Sequence, residues 1–140
     1  RIEYITTIKD VPYYNDSKAT NPDSTVKALE AFPKGHLILL AGGHDKGTEL
    51  EPMMELVREK TDVLILLGEA KERFHKAALA AGVRNIVLVD SFQAAVDKAY
   101  ELAHAPQVVL LSPACSSYDM FHNYPERGRI FKKMVLELKK

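Results

Sequence analysis

The sequence has no tryptophan, a single cysteine and no excess charge of either sign. Each shortage removes a class of function. Cys115 has nothing to pair with inside the chain, so the fold is no disulfide scaffold, and a reducing, cytoplasmic setting is expected. The 19 basic residues balance 19 acidic ones. That argues against nucleic acid as the main partner, since a phosphate backbone recruits proteins with a clear basic excess. No apolar run approaches the roughly 20 residues that span a bilayer, and no signal peptide opens the chain, so no membrane partner is expected. Low-complexity tracts and internal repeats are also absent. What remains is 140 residues at 46% hydrophobic content, enough for one domain with a real core. The chain opens at Arg1, without methionine, and runs directly into strand-like sequence. This reads as a piece of a longer protein cut near a domain boundary, with loss of a short leader as the alternative.

The pattern along the chain is that of an α/β domain. Residues 2–8 alternate and are rich in β-branched and aromatic side chains, and residues 11–14 look like a second short strand. The tight Lys9-Asp10 turn between them predicts an antiparallel pair at the N-terminus. Asn21-Pro22-Asp23-Ser24 is a helix start, and the helix is expected to run to about Phe32 before Pro33 and Gly35 stop it. Residues 36–41 carry four consecutive aliphatics and end in Gly42-Gly43, as a strand buried on both faces does. Helices near 51–60, 71–81, 92–103 and 126–138 then alternate with strands at 62–67, 85–89 and 107–111. This spacing predicts a doubly wound, mostly parallel, Rossmann-like sheet with helices on both faces. Right-handed crossovers gather the loops after the strands at one edge, where ligands of such folds bind.

Three of those loops are unusually polar. The first holds Asp16-Ser17-Lys18-Ala19-Thr20 at a strand-to-helix junction. A capped turn accounts for the aspartate and the hydroxyls, but Lys18 adds nothing to a turn and suits a phosphate or carboxylate oxygen. The second, Gly42-Gly43-His44-Asp45-Lys46-Gly47, lets the backbone pass close to a ligand and places Lys46 at the sheet edge. It has neither the P-loop nor the dinucleotide spacing, so a plain glycine-rich connection is its bland reading. The third, Ser112-Pro113-Ala114-Cys115-Ser116-Ser117-Tyr118-Asp119, crowds small residues and hydroxyls at the end of the last strand.

Other conspicuous residues read as structure. A lone cysteine among small residues is more often packing than nucleophile, so a thiol-dependent hydrolase using Cys115 is the weaker reading. The 5 histidines lack ligand spacing, and no metal site is expected. Met53, Met54, Leu56 and Val57 form a helix face against the sheet. The charged run from Arg127 to Lys133 is the wet side of the last helix, Arg127 itself set apart near its start, and Lys139-Lys140 is a solvated end.

Taken together, Asn15-Asp16-Ser17-Lys18-Ala19-Thr20-Asn21, Gly42-Gly43-His44-Asp45-Lys46-Gly47, Leu111-Ser112-Pro113-Ala114-Cys115-Ser116-Ser117 and the downstream Phe121 with Glu126-Arg127-Gly128 resemble the C-terminal domain of the Mur ligases. The resemblance covers essentially the whole chain, and the first motif is similar to that of the branch adding D-glutamate. It implies a three-domain enzyme of peptidoglycan synthesis. There an N-terminal domain holds the UDP-sugar, and a central domain carries the ATP P-loop, the magnesium ligands and a carbamylated lysine. The C-terminal domain supplies the amino-acid pocket and closes over ATP. The implied reaction phosphorylates the carboxylate of UDP-N-acetylmuramoyl-L-alanine. The amine of D-glutamate then attacks the acyl phosphate, and phosphate leaves.

Position by position, the resemblance assigns Lys46 to a D-glutamate carboxylate and Thr20 and Ser117 to hydrogen bonds with the same ligand. Tyr118 and Tyr124 line its pocket, where the family often has leucine and phenylalanine. Asp16 falls near the nucleotide ribose, and Lys18, as the catalytic candidate, near the reacting phosphate and carboxylate. A monomer is expected, inactive as an isolated domain, with ATP and Mg2+ bound mainly by the central domain. A free-standing nucleotide- or anion-binding domain is the alternative.

Overall fold

Leucine and isoleucine fill both faces of residues 37–40, and a strand of that kind is stable only between two layers of helix. In the computed structural model it is the fourth strand across a six-stranded sheet, and none of its residues is exposed. The structure describes residues 2–139, so the opening Arg1 and the Lys140 of the expected solvated end lie outside the described residues. In chain order the elements are β1 (Glu3–Ile8), β2 (Val11–Asn15), α1 (Pro22–Glu30), β3 (Leu37–Gly42), α2 (Glu51–Lys60), β4 (Thr61–Leu67), α3 (Lys71–Ala80), β5 (Ile86–Leu88), α4 (Phe92–Leu102), β6 (Val108–Leu111) and α5 (Tyr124–Leu138).

The strand order is β1-β2-β6-β3-β4-β5. Every pairing is parallel except β1 with β2, the antiparallel edge pair that the short turn predicts. Lys9 and Asp10 both take left-handed φ angles, 50° and 65°, as a two-residue turn matching the twist of its strands requires. Alternate residues of each strand serve opposite layers. Leu37, Leu39, Leu64, Leu66 and Leu110 meet α1, α2 and α3 through Leu29, Met53, Met54, Val57 and Phe74. Ile38, Leu40, Ile65, Val109 and Leu111 meet α4 and α5 through Phe92, Val96, Phe131 and Val135. The methionine-rich face of α2 is therefore core, as its helical spacing implies.

Helix starts follow side-chain caps. The carboxamide oxygens of Asn21 and Asn123 accept the backbone N–H of Ser24 and Glu126 at 2.9 and 2.8 Å, and Ser91 does the same for Ala94 at 3.0 Å. The Asn123 cap starts α5 at Tyr124, two residues before the sequence pattern suggests, with Pro125 in the first turn where its missing N–H costs nothing. At the far end, the Lys139 ammonium is not simply solvated: it donates to the Thr6 hydroxyl at 3.0 Å and ties α5 to β1.

Candidate functional site

The register of three neighbouring strands decides where the polar loops emerge. Asn15 of β2 and Leu40 of β3 are both aligned with Leu111 of β6. The chain segments after them therefore leave one sheet edge side by side, across about 10 Å at the usual inter-strand spacing. Asp16, Lys18 and Thr20 follow β2, Lys46 follows β3, and Ser117, Tyr118 and Tyr124 follow β6. This is the carboxyl end of the parallel strands, where doubly wound sheets bind their ligands.

Hydrogen bonds stitch the loops together. The Asp16 N–H donates to Leu111 O at 2.7 Å. The Ser112 hydroxyl donates to the buried Asp16 carboxylate at 2.9 Å and lies 3.1 Å from the Thr25 hydroxyl, so Asp16 has a structural duty besides any ligand contact. Gly42 N–H donates to Pro113 O at 2.9 Å and His44 N–H to Ser116 O at 3.0 Å, which zips the loop after β3 to the loop after β6. This approach demands glycine. A Cβ on Gly42 would stand 1.9 Å from Leu67 O, and one on Gly43 2.6 Å from Ser116 O, with φ of 121° and 146° at the two residues.

The loop carrying Lys46 is held from a fourth connection, the one after β4. Arg73, early in α3, grips both oxygens of Asp45 at 2.9–3.1 Å and donates to Thr48 O at 2.9 Å. Glu69 accepts the Asp45 N–H at 2.8 Å and meets His44 Nδ1 at 2.9 Å, while its own N–H donates to Asp119 at 3.0 Å. The Arg73 guanidinium, followed by the Gly47 N–H, holds the Asp45 carboxyl below the usual aspartate range. Between these fixed points Lys46 is exposed. An ammonium on a rigid backbone and a free side chain suits capture of a carboxylate.

The candidates are not all gathered into one hollow. Lys18 and Tyr124 share a cleft of about 330 Å³ with Ser17, Arg129 and Lys132. Asp16 borders a smaller one, about 200 Å³, beside Ser24 and Lys27 of α1. Thr20, Lys46, Ser117 and Tyr118 line neither, although they leave the same edge. Tyr118 is 69% exposed and Tyr124 37%. Ser117 is only 2% exposed, and its hydroxyl has no hydrogen-bond partner among the described residues, as is true of the neighbouring Ser116 hydroxyl. An unpaired buried hydroxyl costs about 1–3 kcal/mol, so a ligand or bound water able to pair with it is favoured there. A further hollow of about 390 Å³ between α2 and α3 is bordered by Glu49, Glu51 and Glu55, and its one cation, Arg73, is already paired with Asp45, which makes it unsuited to a dianion.

No group of three or more His, Cys, Asp or Glu side chains capable of holding a metal ion occurs among the described residues. Cys115 is buried, and burial pushes its thiol up to about 12, which fits packing rather than nucleophilic attack.

Several contributors were hidden in the sequence. Glu69 lies in the connection after β4 and Arg73 in the first turn of α3, a stretch with no crowd of hydroxyls to mark it. The one available signal was Gly68, a glycine just past its strand as Gly43 is just past β3. Arg127 is also deeper than its charged neighbours suggest, at 2% exposed.

A mostly parallel sheet with its polar loops on the carboxyl edge defines an α/β ligand-binding domain. Comparison with known proteins narrows the class: the family model described as Mur ligase, glutamate ligase domain, matches residues 1–115, and the chain belongs to the Mur ligase family. Among curated proteins it is 46% identical to a UDP-N-acetylmuramoylalanine–D-glutamate ligase of Caldanaerobacter subterraneus over 142 aligned positions, covering 100% of this chain and 31% of that protein. A ligase of the same name from Lachnoclostridium phytofermentans is also 46% identical, over 99% of this chain and 30% of that protein. The chain thus spans about a third of the length of the curated relatives it matches. Among solved structures, a UDP-N-acetylmuramoyl-L-alanyl-D-glutamate–2,6-diaminopimelate ligase superposes with a TM-score of 0.63 at 14% identity, over 96% of this chain and 31% of that one. A murein peptide ligase from Psychrobacter arcticus gives 0.61 at 13%, over 93% and 29%. At these identities the structural likeness speaks for the fold alone.

Proposed function

We propose that this chain is the amino-acid-binding domain of a cytoplasmic, monomeric, ATP-dependent ligase of peptidoglycan synthesis, which joins D-glutamate to UDP-N-acetylmuramoyl-L-alanine. One observation carries the reading: three loops rich in lysine and hydroxyl groups leave adjacent, in-register strands at a single edge. The family match and the names of the relatives support it.

D-glutamate carries two carboxylates and one amine. A domain of zero net charge that exposes Lys18 and Lys46 on loops of one edge suits such a ligand better than a broadly basic surface. Lys46 pairs with a carboxylate, Thr20 and Ser117 donate hydrogen bonds to the same ligand, and Tyr118 and Tyr124 border its apolar stem. Lys18 faces the phosphate and carboxyl oxygens that change charge during transfer, where a fixed ammonium stabilises the developing negative charge. Asp16 accepts from the ribose of the nucleotide. ATP is a co-substrate that Lys18 and Asp16 meet from one side only. The phosphate cradle and the magnesium ligands belong to the rest of the enzyme, so the domain alone is inactive.

The reading predicts that Lys46→Ala in the intact ligase raises the KM for D-glutamate by the equivalent of about 2–4 kcal/mol, the usual cost of breaking one partly desolvated charge pair. Folding, followed by thermal unfolding of the variant, should be unchanged because Lys46 is exposed. Wild-type D-glutamate kinetics in the variant would remove Lys46 from the site.

A further inference from the structure

We infer that Arg127 is a positioning residue for ligation: it clamps the loop bearing Asp16 and Lys18 onto the first turn of α5. This deepens the reading in which Lys18 works at the reacting carboxyl and phosphate, and it rests on that reading.

The geometry leaves Ser17 little freedom. Arg127 Nε donates to the Ser17 hydroxyl at 2.8 Å, and Nη2 donates to the Ser17 carbonyl at 2.7 Å. The same hydroxyl donates onward to Tyr124 O at 2.8 Å, and the Ser17 N–H donates to Asn15 Oδ1 at 2.9 Å. Every polar group of Ser17 is thus bound to a fixed partner, and its two sequence neighbours are the acid and the base assigned to the reacting centre. Helix and loop meet without a spacer, because a Cβ on Gly128 would stand 2.9 Å from Asn15 Nδ2 and 3.3 Å from Ser17 Cβ. The third guanidinium nitrogen, Nη1, has no hydrogen-bond partner among the described residues and lies 3.4 Å from where a Gly43 Cβ would be. One side chain therefore abuts two of the three polar loops from the helix that follows the third.

A residue serving the core alone would not be built this way. Taking a guanidinium out of water is costly, and apolar residues of similar volume often hold a core as well or better. Here its hydrogen bonds go to a neutral hydroxyl and a carbonyl, and burial pulls the arginine down to about 10. What a guanidinium offers and an apolar chain does not is a rigid planar fork that fixes two acceptors at a set separation. Lys18 itself is exposed, so its precision comes from the backbone on which it stands.

The test uses Arg127→Met, which keeps bulk and removes the fork, and Arg127→Lys, which keeps charge and one donor direction. In the 140-residue chain, amide exchange at residues 16–20 should accelerate at least about tenfold in Arg127→Met while β3 and β4 keep their protection. In the intact ligase kcat should fall about 100-fold, as displacement of a catalytic group by an ångström does. The KM for D-glutamate should change far less, since Arg73 holds the Lys46 loop independently. Arg127→Lys should recover part of kcat. A purely structural arginine would lower the melting temperature, leave kcat of the folded enzyme intact, and loosen the sheet along with the loop. That result overturns the inference. Should Arg127→Met fail to fold, Ser17→Ala breaks the same link more gently, and wild-type kcat in it is equally fatal. An intact wild-type ligase that does not use D-glutamate would refute the functional reading instead, while the exchange measurement still decides the clamp.

Discussion

Cys115 sits in the loop after β6 beside Ala114, Ser116 and Ser117, all buried. A thiol with its pKa pushed up to about 12 by burial is neutral at physiological pH, and the thiolate is the form that attacks. Iodoacetamide at pH 8 should leave the folded chain unlabelled and modify it only after denaturation, read by mass spectrometry. Rapid labelling of the native chain would revive the hydrolase alternative. At this scale the sequence was uneven. The packing role of Cys115 was legible because only small residues surround it. The depth of Arg127 was not, because it shares a charged segment with Arg129, Lys132 and Lys133, all exposed, and helical periodicity alone does not say which side meets a loop from a hundred residues earlier.

Among the elements, β3 and β4 were the most legible, since an unbroken aliphatic run has few ways to avoid water other than a central strand. The start of α5 was less so. Its first turn depends on the Asn123 carboxamide reaching the Glu126 N–H, and an asparagine in a polar stretch does not announce which way its side chain turns. The loop of residues 43–50 illustrates a fold detail with a pH consequence. Asp45 has a depressed carboxyl, so its contribution is present above the ordinary aspartate value of 3.8 and is lost as pH falls through the lower, folded value. Acid below that range should release the Arg73 grip, and amide exchange at residues 45–48 should rise there before the sheet melts. Arg73→Ala should produce the same loosening at neutral pH and cost about 1 kcal/mol of stability by chemical denaturation. An unchanged loop in that variant would show that Glu69 and His44 suffice.

For the molecule as a whole, right-handed crossovers account for the polar loops sharing an edge, and this much followed from the alternation of strands and helices. The strand order did not follow, because no local pattern says that β6 is placed between β2 and β3. Only the folded chain puts Ser117 between the Lys18 and Lys46 loops. The absent P-loop spacing bears on the same scale: the 140-residue chain should release no phosphate from ATP above background in a coupled assay, and steady turnover would contradict the proposal that it is one part of a larger ligase.

The late place of β6 in the chain has a bearing on folding. It is the last of the six described strands in chain order, yet it occupies the middle of the sheet and bonds to a neighbour on each side. Without residues 108–111, the N-terminal hairpin and the β3–β4–β5 block have no ladder between them. One short segment therefore joins two blocks of the sheet that share no other ladder among the described residues. The connections carrying Lys18 and Lys46 are held side by side only once that segment is in place, so the carboxyl edge of the sheet is completed late in folding.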